Sequence, residues 1–243
     1  MELDHERRFA IHDGGIRITP SELDTGTTAL LLIDMQYLDA HPDFGQGREA
    51  QDRGVFDEQY GYYYGRLPAV IENQARLLKS ARGAGIEVVH TRIGALTGDG
   101  RDVSRPHKLL RVLALPGSKE IEFLTEVAPL ANEPVLTKGA SGAFNATAID
   151  QILRNLGVRT LIVGGVITNY CVETTVRDAS DRGFDVLLVG DACASYSEAL
   201  HATSLEILDG AYCSVTTTRE VAAALDAAAA RNQPTAAGQI HAG

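Results

Sequence analysis

Three side chains that can do chemistry stand at or just beyond the ends of apolar runs of strand length. Asp34 follows Leu30–Ile33, Lys138 follows Val135-Leu136-Thr137, and Cys171 opens a helical segment after a third run. A helix N-terminus stabilises a thiolate through its unpaired N–H groups and macrodipole, so Cys171 is placed as a nucleophile would be. Each residue also has an ordinary interpretation: Asp as a turn residue, Lys as a surface charge and Cys as a small buried side chain.

The spacing of these residues favours a shared location. Lys138 and Cys171 are 33 positions apart, about one strand-helix-strand unit of roughly thirty residues. The carboxyl ends of parallel strands meet at one edge of a sheet, which is where such sheets bind ligands. Asp34 falls at the same edge. If none of the three residues were functional, a turn residue, a surface charge and a small buried side chain would have to lie together at this edge by chance.

Strand-length apolar runs alternate with segments of helical period, which predicts an α/β fold with a mostly parallel sheet and helices on both faces. The predicted strands are Thr28–Ile33, Ile86–His90, Pro134–Thr137, Thr160–Val163, Val186–Val189 and Tyr212–Thr216. The predicted helices are Leu67–Arg82, Thr147–Leu156, Asn169–Arg182, Ser197–Leu208 and Glu220–Ala230. Residues 37–66 and 94–119 are predicted to be irregular insertions, the first an active-site lid or a subunit contact.

The chain resembles the isochorismatase-like cysteine hydrolases, a family that includes nicotinamidases, N-carbamoylsarcosine amidase, ureidoacrylate amidohydrolases and biuret hydrolases. The segments that carry the resemblance are ALLLIDMQ, VLTKGASGAFNATAIDQILRNLGVRTLIVGG and ITNYCVETTVRDASDRGFDVLLVGDACAS. It implies that Asp34, Lys138 and Cys171 form a catalytic triad. It further implies a three-layer α/β/α fold with six parallel strands in the order 3-2-1-4-5-6, and a cis peptide bond between Ile167 and Thr168.

The resemblance also implies a reaction. Cys171, its pKa lowered by the helix N-terminus and Lys138, would attack an amide or ureide carbonyl, and Asp34 would exchange protons. The backbone N–H groups of Thr168 and Cys171 would form the oxyanion hole. A thioester would follow, with release of ammonia or a small amine. The alternatives are an isochorismatase-type vinyl-ether hydrolase, which in this family can operate without the cysteine, and a catalytically silent interaction protein.

Several residues near these three in sequence are candidates for substrate binding. They are Gln36, Arg92, Phe144, Asn169 and Tyr170. Arg92 is placed to hold a substrate carboxylate, although a surface ion pair explains it equally well. The tyrosines at 60 and 62–64 are placed either to cap a planar substrate or to pack against another subunit.

No metal and no cofactor are expected. Nicotinamidases bind a divalent metal through an Asp-x-His pair and a further His beyond the second strand. Here that strand continues as His90-Thr91-Arg92-Ile93-Gly94, without the motif. Asp39-Ala40-His41 has the spacing of the pair but lacks a matching third ligand, so a surface histidine is the preferred interpretation.

Composition limits the remaining options. The formal net charge is −10 and there is no basic run, which disfavours nucleic-acid binding. Apolar stretches are too short to span a membrane, and three cysteines without a CxxC pair suit a reducing cytoplasm. We expect a single domain over residues 1–243, with a core at about 27–225, an N-terminal extension at 1–26 and a tail at 227–243. A homo-oligomer, dimer or tetramer, is expected from the resemblance and from the aromatic run.

Overall fold

The computed structural model describes residues 15–232, which contain a six-stranded, all-parallel sheet. Its strand order is β3-β2-β1-β4-β5-β6, which confirms the predicted fold class and order. The strands are β1 Thr28–Ile33, β2 Glu87–Ile93, β3 Val135–Lys138, β4 Thr160–Val166, β5 Asp185–Ala194 and β6 Ser214–Thr216. The first strand has the predicted bounds, and the other five predicted runs each overlap a strand.

Helices cover both faces of the sheet. In chain order they are α1 Tyr37–Ala40, α2 Gly45–Asp52, α3 Phe56–Ala84, α4 Arg105–Leu110, α5 Ala143–Ala146, α6 Ile149–Asn155, α7 Glu173–Asp181, α8 Glu198–Leu208 and α9 Thr218–Asn232. Side chains of β1 alternate between two apolar cores. Leu30 and Leu32 pack with α3 and α9, whereas Leu31 and Ile33 pack with α6 and α7. Because both faces are covered, the whole strand is apolar.

Residues 37–66 do not form the predicted irregular lid. They fold into α1, α2 and the first turns of the 29-residue helix α3. Their glycines argue against a helix by intrinsic propensity, but tertiary packing overrides it. Tyr63 is only 1% exposed, and its ring lies 5.4 Å from that of Tyr196.

This packing removes one argument for an oligomer. The rings of Tyr60, Tyr63 and Tyr64 contact one another and Tyr196 within the chain, so they do not present a large apolar surface. Only Tyr62 of the run is among the exposed large hydrophobic residues, at 39%. Oligomer formation therefore stays a prediction that rests on the resemblance.

The C-terminal boundary also differs from the expectation. Residues 227–232, predicted to begin an extended tail, continue helix α9 to Asn232, because alanine is the strongest helix former. The rest of the predicted tail, 233–243, and residues 1–14 of the predicted extension lie outside the described residues. Within residues 15–232, no helix is both long enough and apolar enough to cross a membrane.

Strand β1 leaves no room for a side chain at Gly165 of β4. Its φ is +138°, and a Cβ atom there would collide with the backbone oxygen of Ile33. The pairing of β4 with β5 also shifts register between Val163 and Gly165. A glycine is therefore required where β4 runs toward the turn that carries Cys171.

We expect Gly165→Ala to lower the free energy of unfolding by about 2–4 kcal/mol, through the disfavoured φ and the contact with Ile33. Chemical denaturation followed by circular dichroism measures this. The matched control is Gly65→Ala in α3, where a Cβ meets nothing within 4 Å and alanine should stabilise by about 0.5–1 kcal/mol. Equal effects of the two substitutions would contradict the packing described at Gly165.

Candidate active site

Asp34 is held at the end of β1 by hydrogen bonds to the neighbouring strand. Its N–H donates to the carbonyl oxygen of Thr91 over 3.0 Å, and the Thr91 hydroxyl donates to Asp34 Oδ1 over 3.0 Å. Its φ of +57° is a left-handed conformation that aspartate tolerates better than most residues. The side chain is fully buried, so its direction is fixed by the sheet itself.

Lys138 ends β3 and is fully buried beside Asp34. Its Nζ lies 2.7 Å from Asp34 Oδ2, and it donates to the Ala140 carbonyl oxygen over 3.1 Å and to Cys171 Sγ over 3.4 Å. These three neighbours match the three hydrogens of an ammonium group. Burial lowers the pKa of Lys138, but the charge of Asp34 and the hydrogen bonds to Asp34 and Cys171 together outweigh burial and raise it, so the group is a cation at neutral pH.

Cys171 lies in a π-helical turn, Thr168–Val172, between β4 and α7. The N–H of Val172 donates to the Ile167 carbonyl oxygen, five residues back, over 3.3 Å. The expected lowering of the cysteine pKa is wrong. Burial raises the pKa of the Cys171 thiol well above its ordinary value, and the charges of Asp34 and Asp39 add to this effect, while Lys138 opposes it. The resting group is therefore a thiol.

A cis peptide bond precedes this turn, one residue earlier than expected. It joins Val166 to Ile167, at the point where β4 ends, rather than Ile167 to Thr168. Thr168 is fully buried, and its hydroxyl lies 2.9 Å from Nδ1 of His201.

A cavity of about 350 Å³ opens onto Cys171. Its wall includes Asp39 from α1, Gln46 from α2, Tyr60 from α3 and His107 from α4. Ser141, Tyr170 and Tyr196 also belong to the polar part of the lining. Asp34 and Lys138 are not among the lining residues, so the cavity presents the sulfur with the charged pair behind it.

Comparison with known proteins agrees with this geometry. A model of the isochorismatase domain matches residues 28–220, well over half of the chain. The chain belongs to the isochorismatase family.

Two relatives and a solved structure illustrate the likeness. The chain is 28% identical to a ureidoacrylate amidohydrolase of Methylorubrum extorquens, over 72% of this chain and 73% of that protein. It is 31% identical to a maleamate amidohydrolase of Pseudomonas putida, over 63% of this chain and 72% of that protein. A cysteine hydrolase from Pseudomonas syringae superposes with a TM-score of 0.73 and 27% identity, over 88% of this chain and 98% of that one. The predicted family is thus confirmed.

Of the five candidate substrate-binding residues in this member of the isochorismatase family, only Tyr170 lines the cavity. Gln36 is fully buried and is bonded to the backbone of Ile93 and Glu120. Phe144 packs in the core against Phe184, and Asn169 accepts a hydrogen bond from Ser195.

Arg92 is also directed away from the cavity. Its guanidinium donates to the Thr137 hydroxyl over 3.0 Å and to the Ile121 carbonyl oxygen over 3.3 Å, and it lies over the ring of Phe123. Two of the five N–H donors of Arg92 thus contact protein groups, and Arg92 does not line the cavity, so binding of a substrate carboxylate by Arg92 stays a prediction.

Sequence reasoning missed four residues of the cavity wall. Asp39 was considered only as half of a metal-binding pair, and Gln46, His107 and Tyr196 were not singled out. Asp39 lines the cavity, whereas His41 packs against Tyr37 and Phe44. Across the part of the chain that the structure describes, no group of three or more His, Cys, Asp or Glu side chains could hold a metal ion. The position of Asp39, five residues after Asp34, is the sequence feature that could have placed Asp39 near the site.

Lys138→Met should lower the free energy of unfolding by about 3–5 kcal/mol, because it leaves the buried Asp34 carboxylate without its counter-charge. Denaturant titration measures this loss. The double variant Lys138→Met/Asp34→Asn should recover a large part of it. The control is Lys119→Met, which removes an exposed lysine paired with Glu122 and should leave stability nearly unchanged. Similar effects at positions 138 and 119 would contradict the buried ion pair.

The raised pKa of Cys171 predicts the pH dependence of its alkylation. Only the thiolate reacts, so the rate with iodoacetamide should keep rising above about pH 8.5, the ordinary cysteine pKa. Mass spectrometry of peptides follows the label, with Cys171→Ala as the control for Cys193 and Cys213, both fully buried. A rate that levels off below neutral pH would show a stabilised thiolate instead.

Proposed function

We propose that this protein is a cysteine-dependent amidohydrolase that cleaves the C–N bond of a small amide or ureide through a thioester on Cys171. The observation that carries the proposal is that Cys171 Sγ meets a substrate-sized cavity on one side and the Lys138 ammonium, 3.4 Å away, on the other. The ureidoacrylate and maleamate amidohydrolases named above support the reaction class.

The first step is attack of sulfur on the carbonyl carbon. Asp34 takes the proton of the thiol as the S–C bond forms, since the resting group is not a thiolate. Lys138 stays protonated and stabilises the negative charge that passes between Sγ and Asp34. The carbonyl electrons move to oxygen, and we assign the backbone N–H groups of Thr168 and Cys171 as its donors.

In the second step the tetrahedral intermediate collapses. Asp34 returns the proton to the leaving nitrogen, the C–N bond breaks, and ammonia or a small amine departs. Asp34 then removes a proton from water, whose oxygen attacks the thioester. The C–S bond breaks, the thiol regains its proton, and the second product is a carboxylic or carbamic acid.

We further propose the domain organisation, cofactor requirement, compartment and oligomeric state of the enzyme. The protein acts as a single domain, without metal or cofactor, in the cytoplasm and as a homo-oligomer. The family resemblance supports the oligomer, and the cysteine content supports the compartment.

Asp34→Asn should slow both the formation and the hydrolysis of the thioester, because Asp34 exchanges protons in both steps. Losing a positioned acid-base group typically costs about 10²–10⁴ in rate. Intact-protein mass spectrometry of this variant with substrate should show an added mass equal to substrate minus ammonia or amine, located on Cys171. Ammonia release should be abolished in Cys171→Ala and retained in the control Cys193→Ala, which replaces a cysteine buried away from the cavity.

A folded Cys171→Ala protein with full activity would refute the proposal. Hydrolysis of isochorismate-like ethers, with no amide cleaved and no adduct in any variant, would favour the vinyl-ether hydrolase instead.

A further inference from the structure

The cavity beside Cys171 contains one carboxylate and, among the described residues, no lysine or arginine in its wall. Its titratable side chains are Asp39, His107, Cys171 and three tyrosines. The named relatives act on ureidoacrylate and maleamate, both of which are carboxylates at neutral pH. A site for such anions normally supplies a cation or several donors, so this wall has the wrong charge for them.

Three basic residues that lie close to the cavity in sequence or in space have partners outside it. Arg92 is bonded to Thr137 and Ile121, and Lys138 lies behind the sulfur with three partners of its own. Arg111 follows the cavity residue Leu110, but its side chain is mostly exposed and lies 3.9 Å from Glu49. None of these cations is positioned to neutralise an anion beside Cys171.

Asp39 is available to a ligand. It is half-buried, and its carboxylate has no hydrogen bond or ion pair with any residue in the described range 15–232. Its backbone is fixed, because the Tyr63 hydroxyl donates to the Asp39 carbonyl oxygen over 2.8 Å. A carboxylate that is held in place and lacks a partner in a mostly apolar cavity favours a ligand that brings an N–H donor.

The neighbouring polar groups do not satisfy Asp39 either. The hydroxyls of Tyr196 and Tyr60 both donate to Gln46 Oε1, over 3.0 and 3.4 Å. His107 lies 3.4 Å from the Ser141 hydroxyl, and burial together with Lys138 lowers its pKa, so it is neutral at pH 7. These hydroxyls and the His107 imidazole therefore contact Gln46 or each other rather than Asp39, and among the described residues no hydrogen bond joins the Asp39 carboxylate to the wall.

We infer that Asp39 is a specificity-determining residue that selects carboxylate-free amides or ureides with a second N–H donor group and rejects substrates that carry a carboxylate. This inference rests on the proposed amidohydrolase function and adds the class of substrate. Asp39 would accept a hydrogen bond from the non-reacting end of the substrate while Cys171 meets the carbonyl group. A carboxylate at the same place would face Asp39 without a counter-charge.

The charge of Asp39 gives the selection a pH dependence. Burial raises the pKa of Asp39 to about 7, Asp34 adds to the effect, and Lys138 opposes it. The other titratable groups around Asp39 are Cys171, His107 and four tyrosines, Tyr60, Tyr63, Tyr64 and Tyr196. Burial raises the pKa values of the thiol and of these tyrosines and lowers that of His107, so these groups favour their neutral forms around pH 7, where Asp39 ionises.

The test compares maleamide with maleamate, which differ only in a carboxamide against a carboxylate. The wild-type enzyme should prefer maleamide in kcat/KM by about tenfold or more at pH 8.5, and less at pH 6. Asp39→Asn, which has the same shape and no charge, should narrow the preference and make it independent of pH. The control Asp43→Asn removes a charge from the exposed loop after α1 and should behave as wild type.

A binding measurement separates this inference from the proposed function. Calorimetry with the Cys171→Ala protein should show tighter binding of maleamide than of maleamate, with the difference reduced in Cys171→Ala/Asp39→Asn. Equal or tighter binding of maleamate, or no binding of either compound, overturns the inference. Absence of turnover of both compounds by the wild-type enzyme, with the binding preference intact, would count against the proposed function alone.

Discussion

The ion pair between Lys138 and Asp34 sets the conditions that the rest of the site must meet. Removing two such charges from water costs several kcal/mol for each ion. Their attraction offsets this cost only when the two ions are close and their remaining hydrogen bonds are satisfied. The sheet supplies that geometry through strand register. Ile33 is opposite Thr91, and Ile93 is opposite Lys138, so the residue after β1 and the last residue of β3 reach each other across the end of β2.

The same buried pair explains the state of the cysteine. Lys138 alone would favour a thiolate, but Asp34 and the loss of solvent act in the opposite direction and prevail. In the proposed mechanism the nucleophile is therefore stored as a neutral thiol beside its base, and negative charge would develop on sulfur only as substrate arrives. This arrangement limits reaction of the resting cysteine with other electrophiles, because only a thiolate attacks them efficiently.

The sheet and the three reactive residues were within reach of the sequence, because buried parallel strands are continuous apolar runs and Asp34, Lys138 and Cys171 follow such runs. The helices between Tyr37 and Arg66 were not, since their glycines argue for loops and the packing that favours them, such as that of Tyr60 and Tyr63 against Tyr196, is tertiary. The wall of the cavity was missed for the same reason. Its residues come from connecting segments whose paths depend on tertiary contacts. The pKa of Cys171 depends on how deeply the side chain is buried, which the local sequence pattern does not indicate.

Gln36 is fully buried at the edge of the sheet, where the N–H of Ile93 donates to its side-chain oxygen and its amide nitrogen donates to the carbonyl oxygens of Ile93 and Glu120. These bonds anchor the start of the connection that follows β1, while the residues facing the substrate lie beyond that anchor. In the proposed function the charged pair lies at the ends of strands, whereas Asp39, Gln46, Tyr60 and His107 reach the cavity from the connecting helices. Substitutions in the connecting helices can change what is bound without disturbing the charged pair, so the same scaffold can diverge toward new substrates by small steps, in evolution or in the laboratory.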